Sequence, residues 1–283
     1  MKKIKIKTPA KINLTLDILG VTENFHDIKS LVASIDLFDE ITIKERADQK
    51  ITLLCEGIPV DCVAVDNNAF KAAKLFIEKF KTNGVDIKIK KGIPVGGGLG
   101  GSSADIAGVL NGMESIYNTG KKLLPLAQSL GSDAGYMLDG GYAVITGRGE
   151  KVAHKNIDKV LYLILITEQK GVSARSSYKG YDKIGKTYKP CTVAAGKALE
   201  TNDFEKFISL IKNDLYYSSC QIVPEMSGNI YALKKAGAPC AIMTGSGSCV
   251  VGIFQDKKQR DVSYKKLLSL FNNSLIKAQT IVK

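Results

Sequence analysis

The sequence predicts an α+β chain folded as two lobes, and three observations carry that expectation. Segments with a two-residue apolar period are interspersed with amphipathic segments of helical period. The two kinds do not alternate strictly, as a parallel βαβ sheet requires. The 283 residues, 45% of them hydrophobic, suffice for one large or two modest cores.

The elements follow in chain order. Residues 2–18 set Ile4 and Ile6 against lysines, then Ile12, Leu14, Leu16 and Ile18 against Asn13, Thr15 and Asp17. That period predicts strands, broken at Thr8-Pro9. Ile28–Ile35 is spaced like a helix, and Glu40–Glu45 like a strand. Asn67–Lys81 places Phe70, Ala73, Phe76, Ile77 and Phe80 on one helical face, which Asn83-Gly84 closes. Val85, Ile87 and Ile89 then alternate with Asp86, Lys88 and Lys90 as a strand.

Helices are expected over 103–117 and about 121–130, strands over 142–146 and 160–167, and mostly helix from 191 to 237. Residues 239–254 read as strand, Gly-Ser-Gly turn and strand. A helix (257–271) and a short strand (275–282) follow. The polar stretch 179–190 predicts a loop. A boundary is expected near 150–158, which gives an N-terminal lobe 1–155 and a C-terminal lobe 156–283.

The net charge is +12, but the lysines are spread along the chain with no cluster interleaved with aromatics. A solvated basic surface is the plain reading, and attraction of a phosphorylated substrate the next; no nucleic-acid partner is expected. The longest apolar run, Val160–Ile166, is too short to cross a bilayer, and no apolar stretch follows the basic N-terminus. The expected protein is cytoplasmic, without a membrane partner. Cys55, Cys62, Cys191, Cys220, Cys240 and Cys249 form no CxxC pair and have no local histidine partner. They are expected to be reduced and mostly buried, with no protein metal site.

The most informative stretch is Lys91-Gly-Ile-Pro-Val-Gly-Gly-Gly-Leu-Gly-Gly-Ser-Ser-Ala-Asp105, set between an expected strand and an expected helix. Five glycines in the six residues 96–101 let the backbone approach a ligand and turn its N–H groups to one point. The following helix adds unpaired amides and the positive end of its dipole, which suits a polyphosphate. Ser102 and Ser103 can donate to phosphate oxygens or complete a Mg²⁺ shell. Gly96-x-Gly98-x-x-Gly101 satisfies the dinucleotide spacing, but the stretch twenty residues on looks helical and has no acidic residue. No Lys-Ser/Thr follows the glycines, so the loop is not a Walker A, and no HRD segment is present.

Taken with its neighbours, Pro94–Asp105 resembles the ATP loop of the GHMP kinases, the superfamily of galactokinase and of homoserine, mevalonate and phosphomevalonate kinases. The likeness covers nearly the whole chain in order. It includes Pro9-Ala-Lys-Ile-Asn-Leu14, Asn67-Asn68-Ala69, Leu130-Gly-Ser-Asp-Ala-Gly135, Asn213-Asp-Leu215, Ala236-Gly-Ala238 and Met243-Thr-Gly-Ser-Gly-Ser248. Within the superfamily the resemblance runs to the members that phosphorylate the 2-hydroxyl of 4-diphosphocytidyl-2-C-methyl-D-erythritol, an isoprenoid precursor.

The resemblance implies a two-lobed fold with the site in a cleft, ATP and Mg²⁺ as cofactors, and a cytidine-diphosphate sugar alcohol as substrate. It implies a monomer or weak homodimer. Asp133 would orient or deprotonate the acceptor hydroxyl, with Lys11 beside it. Lys91, Pro94, Val95, Gly96, Gly97, Gly98, Leu99, Gly100, Gly101, Ser102, Ser103 and Ala104 would hold the nucleotide. Asn13, Phe25, His26, Tyr178, Gly245, Ser246 and Gly247 would face the acceptor, His26 bonding the base between the aromatic walls Phe25 and Tyr178.

Locally, other readings stay open. Asp133 after Gly131 also suits a helix N-cap, Lys11 a surface lysine, and Phe25 and Tyr178 ordinary half-buried aromatics. The chain departs from the resembled pattern at Asn24, Phe25, Ser102, Ala104 and Gly135, which bears on the acceptor. The rivals are a GHMP kinase for a different alcohol, a basic nucleic-acid-binding protein and an inactive nucleotide-binding relative.

Overall fold

A computed structural model describes residues 1–22, 25–59, 63–185 and 189–283. Cys62 and Asn24 lie outside the described residues, as do three positions of the loop expected over 179–190. The chain opens with β1 (Lys3–Asn13), β2 (Asp17–Thr22), β3 (Phe25–Glu45) and β4 (Ile51–Gly57). Then come α1 (Asn68–Phe80), β5 (Val85–Lys91), α2 (Gly101–Tyr117), α3 (Leu124–Leu130) and α4 (Ala134–Met137). The middle of the chain forms β6 (Tyr142–Gly147), β7 (Lys151–Lys155), β8 (Tyr162–Ile166) and α5 (Ala174–Ile184). Helices α6 (Thr192–Glu200), α7 (Phe204–Leu210), α8 (Tyr216–Cys220) and α9 (Glu225–Ala236) precede β9 (Cys240–Met243) and β10 (Val250–Phe254). Last come α10 (Lys257–Phe271) and β11 (Leu275–Gln279). The α+β expectation holds.

Two compact units result, and they interleave along the chain. The first comprises Met1–Ala10, Leu37–Val95 and Gly100–Gly140; the second comprises Lys11–Asp36, Gly96–Leu99 and Gly141–Lys283. The single cut expected at 155 is therefore replaced by a chain that passes repeatedly from one unit to the other. Strands β1 and β3 each begin in one unit and end in the other.

In the first unit, β5 pairs antiparallel with the second half of β3, Ile41 opposite Ile89 and Ile43 opposite Ile87, and parallel with β4. Helices α1 and α2 supply Ala73, Phe76, Val109, Leu110 and Met113 to the core over these isoleucines. Gly108 of α2 lets that helix approach closely: a Cβ there would lie 2.2 Å from Thr8 Cγ2 and 2.6 Å from Ile41 Cδ1. Helix α1 is capped by Asn67, whose side chain accepts from Ala69 N at 2.9 Å, and ends at Lys81 in the left-handed region, two residues before the expected stop.

In the second unit, the first half of β3 pairs with β6, Ile28 opposite Gly147 through Ala33 opposite Tyr142. An antiparallel sheet of order β11-β8-β10-β9 completes the unit. Residues 28–35, expected as helix, are strand. Residues 30–35 are all buried, so the strand shows no alternation there, and Ile28, Leu31, Val32 and Ile35 mimic a helical stripe. The break expected at Thr8-Pro9 is also absent: β1 runs through Pro9. Among the described residues its sheet partner is β3 alone, and an edge position leaves a proline's missing donor unopposed.

Two further differences bear on the site. Residues 179–184, expected as loop, belong to α5. Asp17, expected on the polar side of an alternation, is fully buried; its carboxylate accepts from Thr192 N at 2.9 Å and pairs with Lys212 at 3.2 Å. Cys191 and Cys249 are buried, Cys220 and Cys240 half-buried, and none of these four is in a disulfide.

Candidate active site

The glycine segment has neither helix nor strand from Gly92 to Gly100. Its φ angles are positive at alternate residues, 72° at Gly96, 75° at Gly98 and 74° at Gly100. A turn that enters the left-handed region at every second residue can direct successive N–H groups to one side, as in the backbone concavities that bind anions. Gly100 is the N-cap of α2 and offers no side chain to cap it. The first helical bond runs from Ala104 N to Gly100 O at 2.9 Å, so the amides of Gly101, Ser102 and Ser103 precede the helical ladder. Ser102 is exposed, and its Oγ accepts from Asn68 Nδ2 at 2.6 Å, which leaves its proton to donate elsewhere. Ser103 is half-buried beside Gly131, and Ala104 is buried. Pro94 is half-buried, and Val95 and Gly96 are exposed at the turn.

Lys91 takes a different position from the one expected. Its ammonium is buried and held by two carboxylates, Asp39 and, at 2.7 Å, Asp105. Asp39 also accepts from the amides of Gly92 at 2.7 Å and Ile93 at 2.9 Å. Lys91 thus anchors the foot of the glycine segment. Burial lowers the affinity of the Lys91 ammonium for its proton, but the two carboxylates outweigh it and hold the pKa above the ordinary lysine range. Burial, with Asp39 close by, pushes Asp105 up to about 7 against the opposing pull of Lys91.

A carboxyl whose folded pKa exceeds its unfolded value binds its proton more tightly in the folded chain. Its contribution to stability therefore falls as pH rises from the ordinary value of 3.8 through about 7. Asp105→Asn is expected to remove that fall, raising the thermal midpoint at neutral pH by on the order of 5 °C relative to its effect at pH 4. Scanning calorimetry across that range checks it. A wild-type pH slope in the variant would clear Asp105 of the role.

In the second unit, three separate segments hold residues 96–99, among them the β9–β10 connection. Lys11 N donates to Leu99 O at 2.9 Å, Val172 N to Gly96 O at 3.3 Å, and Cys249 N to Gly97 O at 3.3 Å. Gly98 lies on the turn of Gly245-Ser-Gly247, and a Cβ on it would meet Thr244 O at 2.3 Å. Asn13 N donates to Thr244 Oγ1 at 2.8 Å, Asn13 Nδ2 to Ser30 Oγ at 2.7 Å, and Lys11 Nζ to Asn13 Oδ1 at 2.5 Å. Lys11 is buried, so the surface-lysine reading falls. Asn213 Nδ2 donates to the carbonyls of Met243 and Gly245, and Ser219 Oγ to that of Ser246. The second unit thus brings together Lys11, Asn13, Gly96–Leu99 and Gly245–Gly247.

Asp133 belongs to the first unit, half-buried at the N-cap of α4. Its side chain makes no cap hydrogen bond, so the helix start does not consume the carboxylate. Tyr178 stacks on His26, with centroids 4.6 Å apart and planes at 26°. Phe25 is 45% exposed on β3, and the Arg148 guanidinium lies 3.5 Å over its ring. One face of the expected aromatic wall is therefore already covered by a cation. His26 Nε2 also bonds Asp182 Oδ1 at 2.6 Å.

Sequence reasoning missed Asp39, Arg148 and Asp182, and it quoted Asp105 and Asn213 without a role. Only Asp182 left a local signal: Tyr178, Tyr181 and Asp182 stand at helical spacing toward one residue. Among the described residues, no group of three His, Cys, Asp or Glu side chains converges as a metal cage. Among the described residues, no helix is long and apolar enough to cross a membrane.

Residues 67–147 match the family of GHMP kinases N terminal domains. A crystal structure of 4-(cytidine 5'-diphospho)-2C-methyl-D-erythritol kinase superposes with TM-score 0.83 at 24% identity, covering 98% of each chain. Homoserine kinase from Cytophaga hutchinsonii superposes with TM-score 0.76 at 17% identity, over 100% of this chain and 96% of the other. The fold is that of the GHMP kinases.

Sequence likeness narrows the class. The 4-diphosphocytidyl-2-C-methyl-D-erythritol kinase of Bacillus cytotoxicus is 34% identical over 258 residues, 89% of this chain and 88% of the relative. That of Bacillus cereus has the same identity and coverage. The chain belongs to the 4-diphosphocytidyl-2-C-methyl-D-erythritol kinase family.

Proposed function

We propose that this chain transfers the γ-phosphoryl group of ATP to the 2-hydroxyl of 4-diphosphocytidyl-2-C-methyl-D-erythritol, a step toward isoprenoid precursors. The observation that carries the reading is the left-handed run Gly96, Gly98 and Gly100 leading into a helix whose first amides have no side-chain cap. Oriented amides of this kind complement a triphosphate. The family's relatives supply the acceptor.

Phosphoryl transfer asks a protein for position and charge balance more than for covalent chemistry. The acceptor oxygen bonds to the γ-phosphorus as the bond to the β,γ-bridging oxygen breaks, and ADP leaves. Asp133 takes the hydroxyl proton, a task suited to a carboxylate that caps no helix. Lys11, fixed by Asn13, offsets charge as it moves to the leaving phosphate. The Ser102 proton, with Asn68 supplying the opposite bond, is free to donate to a phosphate oxygen. Mg²⁺, when bound with the nucleotide, neutralises phosphate charge, and the Ser102 and Ser103 hydroxyls are of the type that completes its shell.

A panel of acceptors in a coupled ADP-release assay tests the assignment. Turnover is expected with the cytidyl alcohol and not with homoserine or mevalonate. An inert cytidyl alcohol beside a rapidly phosphorylated simple alcohol would reassign the enzyme to another branch.

A further inference from the structure

His26 lies in β3 and Asp182 in α5, 156 residues apart in sequence. Their side chains meet at 2.6 Å, through Nε2 of the ring and Oδ1 of the carboxylate. Tyr178 lies against the ring face, and Tyr181 meets it edge-on with centroids 6.2 Å apart. One helix therefore contributes three contacts, from residues 178, 181 and 182, that leave the imidazole little freedom to rotate. Ser173 caps that helix by accepting from Ser176 N at 3.1 Å, so the three contacts come from a formed element.

A carboxylate oxygen only accepts, so the ring nitrogen facing it is the one that carries hydrogen. In the neutral ring the second nitrogen, Nδ1, is then an acceptor. Among the described residues, Nδ1 has no hydrogen-bond partner. We infer that Asp182 is a positioning residue that holds His26 as the Nε2–H tautomer, so that the ring offers an acceptor to the amino edge of a cytosine. The inference rests on the cytidyl reading of the site. It gives that reading a source of base selectivity: an Nδ1 acceptor matches an exocyclic amino group, whereas the O4 carbonyl of a uracil would place two acceptors face to face. A site built for one hydrogen-bonding group rejects its opposite more firmly than it rejects a change of size.

Asp182 is half exposed, with 52% of its side chain accessible, so its removal is compatible with folding. The chain has two histidines, His26 and His154, and a His154→Gln background leaves a single imidazole to observe. Long-range ¹H–¹⁵N correlation at mildly alkaline pH is expected to show the Nε2–H tautomer for His26, and a mixture of tautomers in Asp182→Ala. In steady-state kinetics, Asp182→Ala is expected to raise KM for the cytidyl alcohol about tenfold, the loss of one charge-assisted hydrogen bond. Both kcat and KM for ATP should stay within about twofold, since the base lies outside the transferring group. The preference for the cytidyl over a uridyl acceptor should shrink by a similar factor.

An Nδ1–H tautomer or an imidazolium in the otherwise unaltered ring would overturn the inference, as would an unchanged KM in Asp182→Ala. If the tautomer shifts as stated while no cytidyl acceptor turns over, the pairing stands and the substrate assignment above is the part that fails.

Discussion

Asp133→Asn is expected to lower kcat by about 10²–10⁴-fold, the usual worth of a positioned general base, with ATP affinity changed by less than about twofold. The amide keeps the size and one acceptor oxygen of the carboxylate but cannot take a proton. The alternative role, helix capping, makes a different forecast: loss of an N-cap costs about 1 kcal/mol of stability and leaves chemistry alone. Because the Asp133 side chain makes no cap bond in α4, a stability loss of that size is not expected. Single-turnover phosphoryl transfer and a nucleotide-binding titration on the same preparation separate the two. Near-normal turnover with a lowered melting point would return Asp133 to the capping reading.

The second large effect is expected at Gly98. Its φ of 75° is costly for any residue with a Cβ, by roughly 1–2 kcal/mol. The added methyl of Gly98→Ala would lie 2.3 Å from Thr244 O and 3.2 Å from Gly247 N. Both neighbours are backbone in the turn that Asn13 and Asn213 hold, so neither can rotate away. Together these terms predict a loss on the order of 3 kcal/mol, or an equivalent displacement of residues 96–99 that weakens ATP binding more than tenfold. Gly196 makes the control. It sits inside α6 with no atom within 4 Å of a Cβ, and Gly196→Ala is expected to add about 0.5–1 kcal/mol. Denaturant midpoints and nucleotide titration of both variants decide it. If Gly98→Ala matched wild type in both, the close approach of the two glycine turns would carry no energetic weight.

Both predictions start from residues that were visible in the sequence, and their outcomes depend on neighbours that were not. Gly98 was legible as part of a glycine loop; that Thr244 O stands against it was not, because 146 residues separate them. Lys91 shows the same limit in reverse. It sits beside the loop in sequence and so reads as a nucleotide ligand, yet Asp39 and Asp105 bury it as the loop's anchor. His26 was named as a candidate base contact through the family resemblance, whereas Asp182 was hidden because a polar helix and a polar loop have similar compositions when one face is solvated.

By itself the sequence determined whatever depends on local spacing. The period-two run of β5, the amphipathic face of α1, the bounds of α10 and the glycine segment before α2 all follow from residues within a turn or two of one another. It also determined the family, because ordered motifs from Pro9 to Ser248 accumulate along the chain without reference to contacts. Only the tertiary structure decided that residues 30–35 are a strand buried on both faces, that Lys11 is buried beside Asn13, and that the two units interleave. The reason is physical: burial on both faces erases the period that separates strand from helix. The worth of a buried charge is likewise set by partners that arrive from distant parts of the chain.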